Sequence, residues 1–247
     1  MEPDPQSNWR QYLQKRVLVI FFLGFSAGLP FALVYSTLTA WLETASVERS
    51  TISTFAWLGF AYSFKFVWAP IVDTTRVPLL SGLLGRRRSW MLLAQLCIGL
   101  ALFVLSQVDP AQNIEVFALV AFAVAFSSAT QDIVVDAYRI ECAEVRMQGL
   151  LAAAYQYGYR IALIFSMGGA LILSDYVSWA LTYQIMALMM IIGLAATLWA
   201  DEPEEITARF SAPAGTLIDK ADAWFRHAVA EPFGDFIQRF GRFALVL

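Results

Sequence analysis

VLVIFFLGFSAGLPFALVYSTLTAWL, residues 17–42, is a run of 26 residues that contains no charged side chain. A helix of about 20 apolar residues spans the hydrocarbon core of a bilayer, because each residue advances the helix by about 1.5 Å. The run therefore predicts a transmembrane helix. It is too long for the apolar region of a cleavable signal peptide, so we expect it to be retained in the mature protein.

Five further apolar runs follow along the chain. They cover approximately residues 52–72, 90–108, 116–138, 149–173 and 179–200. The 247 residues are 59% hydrophobic and 15% charged, whereas soluble proteins carry about 25% charged residues. We therefore expect an all-α membrane protein with a bundle of six transmembrane helices over residues 17–200. Six helices correspond to one half of a major facilitator fold, which is built from two inverted three-helix repeats.

The distribution of lysine and arginine predicts the orientation of this bundle. Nine basic residues lie before the first run or in the loops after the second and fourth runs, and one, Arg49, lies on the other side. Basic residues are retained in the cytoplasm. We therefore expect a multi-pass inner-membrane protein, with a cytoplasmic N-terminal segment (residues 1–16) and a cytoplasmic segment after the sixth helix.

Residues 201–241 form a predicted cytoplasmic central loop. Apolar residues recur there at three- and four-residue spacing, which predicts an amphipathic helix: Phe225, Val229, Phe233, Phe236, Ile237 and Phe240. This helix would lie either on the membrane surface or against the protein itself. The apolar residues 242–247 resemble the start of an incomplete seventh helix.

Charged residues inside the apolar runs are the first candidate site residues, because they are costly in hydrocarbon and usually line an interior or a cavity. Lys65 would bind an anionic substrate or pair with a buried carboxylate, or it would form an ion pair that fixes helix packing. Asp132 and Asp136 lie four residues apart on one helix face. Asp132 lies at a depth similar to that of Lys65, whereas Asp136 lies near the interface. Each is either a proton carrier or part of a structural ion pair.

Arg160 lies near the middle of the fifth run, where transporter substrate sites are commonly found. Gln156 and Tyr157 precede it by four and three residues and share its face. The guanidinium group can bind a carboxylate or phosphate with two hydrogen bonds. A substrate contact and a permanent salt bridge to Asp132 or another acid both remain open.

The first run also contains small residues and a proline. Gly24 and Gly28 form a face that allows close helix packing, and Pro30 predicts an interruption of the helix. Close packing and a gating bend are both consistent with this pattern.

An acidic residue and three arginines flank the loop after the second run. Asp73 ends the run, and Arg86, Arg87 and Arg88 precede the third. One interpretation is that these residues only set the membrane topology. The other is that Asp73 pairs with the arginines and holds the cytoplasmic side of the bundle closed.

Enzymatic chemistry has no recognisable signature in the sequence. Cys97 and Cys142 have neither metal-ligand nor disulfide spacing. No nucleophile–base pair or phosphate-binding loop is present on any run. We therefore expect no enzyme activity, no cofactor or metal, and no nucleic-acid partner.

Several of these segments together resemble the AmpG-type muropeptide permeases of the major facilitator superfamily. They are GFSAGLPFAL with TAWL, AYSFKFVWAPIVD, GRRRSWMLLAQ, AFSSATQDIVVDAYR and, in the tail, EPFGDFI. The resemblance implies a proton-coupled symporter that imports anhydromuropeptides, which are anionic, for peptidoglycan recycling. By this resemblance Asp132 and Asp136 match an acidic pair that we expect to couple protons. Lys65 and Arg160 match basic positions that we expect to contact substrate.

The resemblance also limits the expected activity. That family has at least twelve helices, and a site between two halves needs both. We expect a truncated reading frame or a split transporter, or less naturally a homodimer of halves. Another anionic metabolite, such as an acyl-coenzyme A, and a non-transporting remnant remain alternatives.

Overall fold

The computed structural model describes residues 9–203 and Gln238, so the predicted amphipathic helix and the start of a seventh helix lie outside the described residues. The helices are α1 (Trp9–Tyr12), α2 (Lys15–Val34), α3 (Ser36–Thr44), α4 (Arg49–Thr54), α5 (Gly59–Ser63), α6 (Ala69–Thr74), α7 (Leu80–Leu84), α8 (Arg86–Leu105), α9 (Ile114–Glu141), α10 (Gln148–Leu163), α11 (Ala170–Tyr176) and α12 (Trp179–Trp199). Short 3₁₀ turns cover Phe55–Leu58, Lys65–Val67 and Val145–Met147, and a π-helical turn covers Ile164–Gly169.

Within residues 9–203, five helical stretches are long and apolar enough to cross a membrane, and they confirm the prediction of an all-α membrane protein. They are Lys15–Thr44, Arg86–Leu105, Ile114–Glu141, Val145–Tyr176 and Trp179–Trp199. These stretches correspond to the first, third, fourth, fifth and sixth apolar runs.

The second apolar run is not one continuous helix. Between Arg49 and Thr74 the chain forms α4, α5 and α6 with two 3₁₀ turns between them. Pro70 removes a backbone donor at the start of α6. The Ser53 and Thr54 hydroxyls donate to carbonyls three residues earlier, which bends helices. At about 1.5–2.0 Å per residue the segment is still long enough to cross a bilayer, so the sixth crossing stays a prediction.

Pro30 does not interrupt the first helix, contrary to the prediction. The proline lies inside α2, and the break falls later, at Tyr35, between α2 and α3. A proline in a helix leaves the carbonyl four residues earlier without its backbone donor, but neighbouring helices stabilise such a turn in a membrane protein. α2 is buried along most of its length, which supplies that support.

The helix contacts have the symmetry of two three-helix repeats. The contact of α2 with α10 is equivalent, by this symmetry, to the contact of the 49–74 segment with α9. The contact of α8 with α9 is equivalent in the same way to the contact of α12 with α2. Two further contacts, α2 with α9 and α8 with α12, join equivalent helices of the two repeats, and a smaller contact joins α9 to α10. This pairing agrees with half of a major facilitator fold.

Two apolar clusters fill the interior of the bundle. One contains Leu29, Trp41 and Phe117, and the other contains Ile20, Met91 and Val134. On α2, α8, α9 and α12 the buried residues between the two clusters are polar or small. The bundle therefore has a polar layer between two apolar layers, and we call it the central polar layer.

Candidate functional site

The central polar layer is formed by buried hydroxyl and amide side chains from four helices: Ser26, Gln95, Ser128, Gln131 and Thr197. Ser26 Oγ donates to Gln131 Oε1 at 3.4 Å, and Thr197 Oγ1 donates to Gln95 Oε1 at 2.9 Å. These bonds join α2 to α9 and α12 to α8. Hydrogen bonds between helices stabilise packing where apolar contact alone gives little specificity.

Lys65 and Asp132 meet at the edge of this layer. Lys65 Nζ lies 3.8 Å from Asp132 Oδ2, and their side chains are 36% and 17% exposed. Because each charge would be costly alone in hydrocarbon, the pair stabilises both ionised forms. The sequence predicted the two residues at similar depth, and the structure brings them together.

A group of aromatic side chains lies beside the pair, and nothing in the sequence predicted their role. Phe31, Tyr35 and Tyr62 pack with ring centroids 4.9–5.9 Å apart. Tyr155 and Tyr159, one turn apart on α10, pack at 6.1 Å and interact electrostatically with Asp132. Aromatic residues at helical spacing are ordinary in apolar runs, so only the structure identifies Tyr62, Tyr155 and Tyr159 as neighbours of Asp132.

Arg160, Gln156 and Tyr157 lie together but apart from this pair. With Ala153 they line a recess of about 250 Å³ on α10, where Arg160 and Gln156 are exposed and Tyr157 is 67% exposed. Arg160 makes no ion pair with any residue in 9–203, and Asp132 pairs with Lys65 instead. An exposed guanidinium in an open recess can accept an anionic ligand.

Asp136 lies one turn beyond Asp132, towards the end of α9. Arg139 Nη2 is 3.7 Å from Asp136 Oδ1, and the Asp136 side chain is 48% exposed. The two aspartates therefore have different surroundings, since Asp136 is partly solvated and Asp132 is largely buried. Their predicted roles in proton coupling stay predictions.

Arg87 joins three elements at the end of the bundle where α2 and α8 begin, which we call the basic end. Its guanidinium donates to Asp73 Oδ1 at 2.5 Å and to both carboxylate oxygens of Glu141 at 2.8 and 2.5 Å. Arg86 donates to the backbone carbonyl of Asp73. The bonds tie α6, α8 and α9 together, and a gating role for them stays a prediction.

The residues after α12 complete the basic end. Glu202 accepts from the backbone N–H groups of Arg87 and Arg88 at 2.7 and 3.0 Å and so caps the start of α8. Arg88 donates in turn to the last carbonyls of α12. Gly85 precedes α8 with φ +86°, and a Cβ there would collide with the Glu202 side chain.

Lys15 and Asp201 form a further contact at the basic end. Lys15 Nζ donates to Asp201 Oδ1 at 2.5 Å, and this hydrogen bond lowers the pKa of Asp201. The side chains are 40% and 66% exposed, so the pair is solvated. It links the start of α2 to the end of α12.

Gly24 and Gly28 allow α2 and α10 to approach closely. A Cβ at either glycine would collide with the backbone of Tyr155 or Tyr159, and a Cβ at Gly158 would collide with the backbone of Phe21. The small face predicted from the sequence therefore serves close packing. Through this contact the glycines also hold Tyr155 and Tyr159 beside Asp132.

Comparison with known proteins agrees with this architecture. Residues 15–183 match the family model described as acetyl-coenzyme A transporter 1. An anhydromuropeptide permease of Escherichia coli K12 is 36% identical over 197 residues, which are 79% of this chain and 39% of the relative.

A putative transporter of Rickettsia conorii, named AmpG 4, is 31% identical over 226 residues, or 91% of this chain and 53% of the relative. The chain thus spans 39–53% of the length of these two relatives. The relatives are named as transporters and not as enzymes. Since the family model matches more than half of its residues, the chain belongs to the acetyl-coenzyme A transporter 1 family of membrane transport proteins.

Proposed function

We propose that this bundle is one half of a proton-coupled transporter that imports anhydromuropeptides across the bacterial inner membrane for cell-wall recycling. One observation carries the proposal: a partly buried Lys65–Asp132 pair at the edge of the central polar layer, in a chain that is 36% identical to an anhydromuropeptide permease. The relatives support the substrate, and the ion pair supports the coupling.

The Lys65–Asp132 pair has the properties of a proton-coupling site. A buried carboxylate is ionised only when a nearby cation balances the cost of desolvation. When Asp132 binds a proton, Lys65 loses its counter-ion and becomes free to bind an anionic group of the substrate. Proton binding and substrate binding are then linked through one side chain.

The recess at Arg160 supports a second contact for the same substrate. Muropeptides carry carboxylates, and a guanidinium group binds a carboxylate with two parallel hydrogen bonds. Gln156 and Tyr157 add polar groups on the same helix face. Access from alternate sides requires a second six-helix half, either covalently linked, a separate chain or a second copy.

Uptake of labelled anhydromuropeptide into proteoliposomes that contain the full-length protein, with any separately encoded second half, tests the proposal. An inward proton gradient should drive accumulation, and Asp132→Asn should abolish the effect of the gradient. Asp109→Asn, a change in the loop before α9, is the matched control and should leave uptake unchanged. Accumulation of the labelled substrate that does not depend on the proton gradient would refute proton coupling.

An acyl-coenzyme A is the second candidate substrate, because the matching family model is described by acetyl-coenzyme A transport. Its phosphates would suit Arg160 as well as a carboxylate does. Competition separates the two candidates. Unlabelled acetyl-coenzyme A should not reduce muropeptide uptake, and strong inhibition together with direct uptake of labelled acetyl-coenzyme A would reverse the assignment.

A further inference from the structure

Three buried side-chain oxygens without a hydrogen-bond partner lie close together beside the Lys65–Asp132 pair. They are Tyr62 Oη on α5 and Ser128 Oγ and Asp132 Oδ1 on α9. Ser128 and Asp132 are one helical turn apart, so their side chains share a face of α9. Tyr62 Oη lies close to Ser128 Oγ and interacts electrostatically with Asp132, but neither hydroxyl makes a hydrogen bond of acceptable geometry to a protein atom.

This arrangement fits a water molecule in hydrogen-bonding terms. A buried polar atom without a partner costs about 1–3 kcal/mol, and three such atoms side by side would be costly together. Buried waters typically make about three hydrogen bonds to such groups. A water can accept from the hydroxyls of Tyr62 and Ser128 and donate to Asp132 Oδ1, which satisfies all three atoms at once.

The two carboxylate oxygens of Asp132 also have different partners. Oδ2 faces Lys65 at 3.8 Å, and Oδ1 is the oxygen without a protein partner. A proton bound at Oδ2 would lie against the ammonium group of Lys65 and would be repelled by it. Oδ1 is therefore the favoured oxygen for protonation.

We infer that Tyr62, Ser128 and Asp132 form an internal water-binding site, and that the proton reaches Asp132 at Oδ1 through this water. The route of the proton to Oδ1 rests on the proton coupling proposed above. A hydronium ion gives its proton to the bound water once one of the two hydroxyls has turned away and freed a lone pair, and that water passes one of its protons to Oδ1. The carboxylate becomes a neutral carboxyl group, water remains in the site, and Lys65 keeps its charge.

Other charged and titratable groups face Asp132 from each neighbouring element. Lys65 lies on the 3₁₀ turn before α6, Asp136 on α9, and Tyr155 and Tyr159 on α10. Tyr62 and Ser128 are positioning residues for the water.

Infrared difference spectroscopy of the full-length protein in lipid, recorded across a pH step, tests the water site. We expect a water O–H band that shifts when H₂¹⁸O replaces H₂O. Tyr62→Phe and Ser128→Ala should remove the band, and Ser128→Thr should retain it. Tyr176→Phe and Ser174→Ala, the same changes on α11, are matched controls.

Two results would overturn the site: no ¹⁸O-sensitive band in the unaltered protein, or the same band in Tyr62→Phe and Ser128→Ala. If either variant fails to fold, Asp132→Asn against the unaltered protein decides the matter, because loss of the carboxylate must shift the band. An unchanged band in folded Asp132→Asn would also overturn the site.

The rate at which Asp132 becomes protonated tests the delivery of the proton through the bound water. The carboxyl band of Asp132, identified by its loss in Asp132→Asn, should appear roughly tenfold or more slowly after the pH step in Tyr62→Phe and Ser128→Ala. Equal rates would overturn delivery through the water. Uptake that is independent of the gradient, with the water band present, would refute the proposed function and leave the water site standing.

Discussion

Arg87 and Glu141 form a bidentate ion pair, with bonds of 2.8 and 2.5 Å between the guanidinium of α8 and the carboxylate that ends α9. Their side chains are 7% and 15% exposed, so the pair is largely removed from water. Asp73, which is 43% exposed, places a second carboxylate on the same guanidinium. The basic end of the bundle is thus organised around Arg87.

Glu141→Gln should destabilise the bundle. The substitution leaves Arg87 with Asp73 as its only charged partner in this contact and removes a charge-assisted bond, at a cost of about 1–3 kcal/mol. Thermal unfolding in detergent should show a lower midpoint. Glu144→Gln is the control, since Glu144 pairs with Arg146 on the surface, where the side chains are 72% and 80% exposed. Equal midpoints for the two variants would contradict the structural importance of Glu141.

Gly158→Ala should separate α2 from α10. The added Cβ would collide with the Phe21 backbone, and overpacking of this kind costs about 1–3 kcal/mol. Gly149→Ala is the matched control on the same helix, because a Cβ there meets open space. The free energy of unfolding in detergent should fall for the first variant and stay equal or rise slightly for the second. A tolerated Gly158→Ala would refute the close contact.

Lys65→Met and Asp132→Asn should be coupled. Each single change leaves one buried group without its ionic partner, whereas the double variant leaves none. We expect the double variant to lose less stability than the sum of the two single variants, in a double-mutant cycle of unfolding free energies. Additive effects would mean that the 3.8 Å contact contributes nothing to folding.

Lys15→Met should change the pH dependence of stability. The hydrogen bond from Lys15 lowers the pKa of Asp201, so its contribution is present above the ordinary aspartate pKa and is lost as pH falls through the lowered value. Without Lys15 the pKa of Asp201 should return towards its ordinary range. Unfolding midpoints of the two proteins should therefore differ at neutral pH and converge in acid. Arg146→Met, in an exposed pair, is the control.

The sequence predicted the features that depend on the length of an apolar run or on a single charged residue within such a run. Lys65 and Asp132 could be found because a charge in an apolar run is rare, and their similar depth suggested that they meet. Glu141 and Glu202 could not be found, since carboxylates are ordinary at helix ends. The role of Tyr62 could not be predicted for a related reason, because tyrosine is common in membrane helices and carries no charge.

The broken second helix was also beyond the sequence. Hydropathy measures how apolar a segment is, and it does not distinguish α turns from 3₁₀ turns in the 49–74 segment. The first helix is interrupted at Tyr35 and not at Pro30, where the sequence predicted the interruption, for a comparable reason. A buried proline can be supported by neighbouring helices, and that support depends on packing that the sequence alone does not supply.

Arg160→Ala should abolish uptake and leave membrane insertion and thermal stability intact. The reason is the position of Arg160, exposed in the α10 recess and without an ion pair among residues 9–203, so its removal orphans no acid there. Arg160→Lys keeps the charge but loses the bidentate geometry and should restore uptake only in part. Arg146→Ala, at an exposed position before α10, is the control for loss of a positive charge. A drop in stability for Arg160→Ala alone would instead favour a structural role, because a guanidinium needed only for an anionic ligand contributes nothing to folding in the ligand's absence.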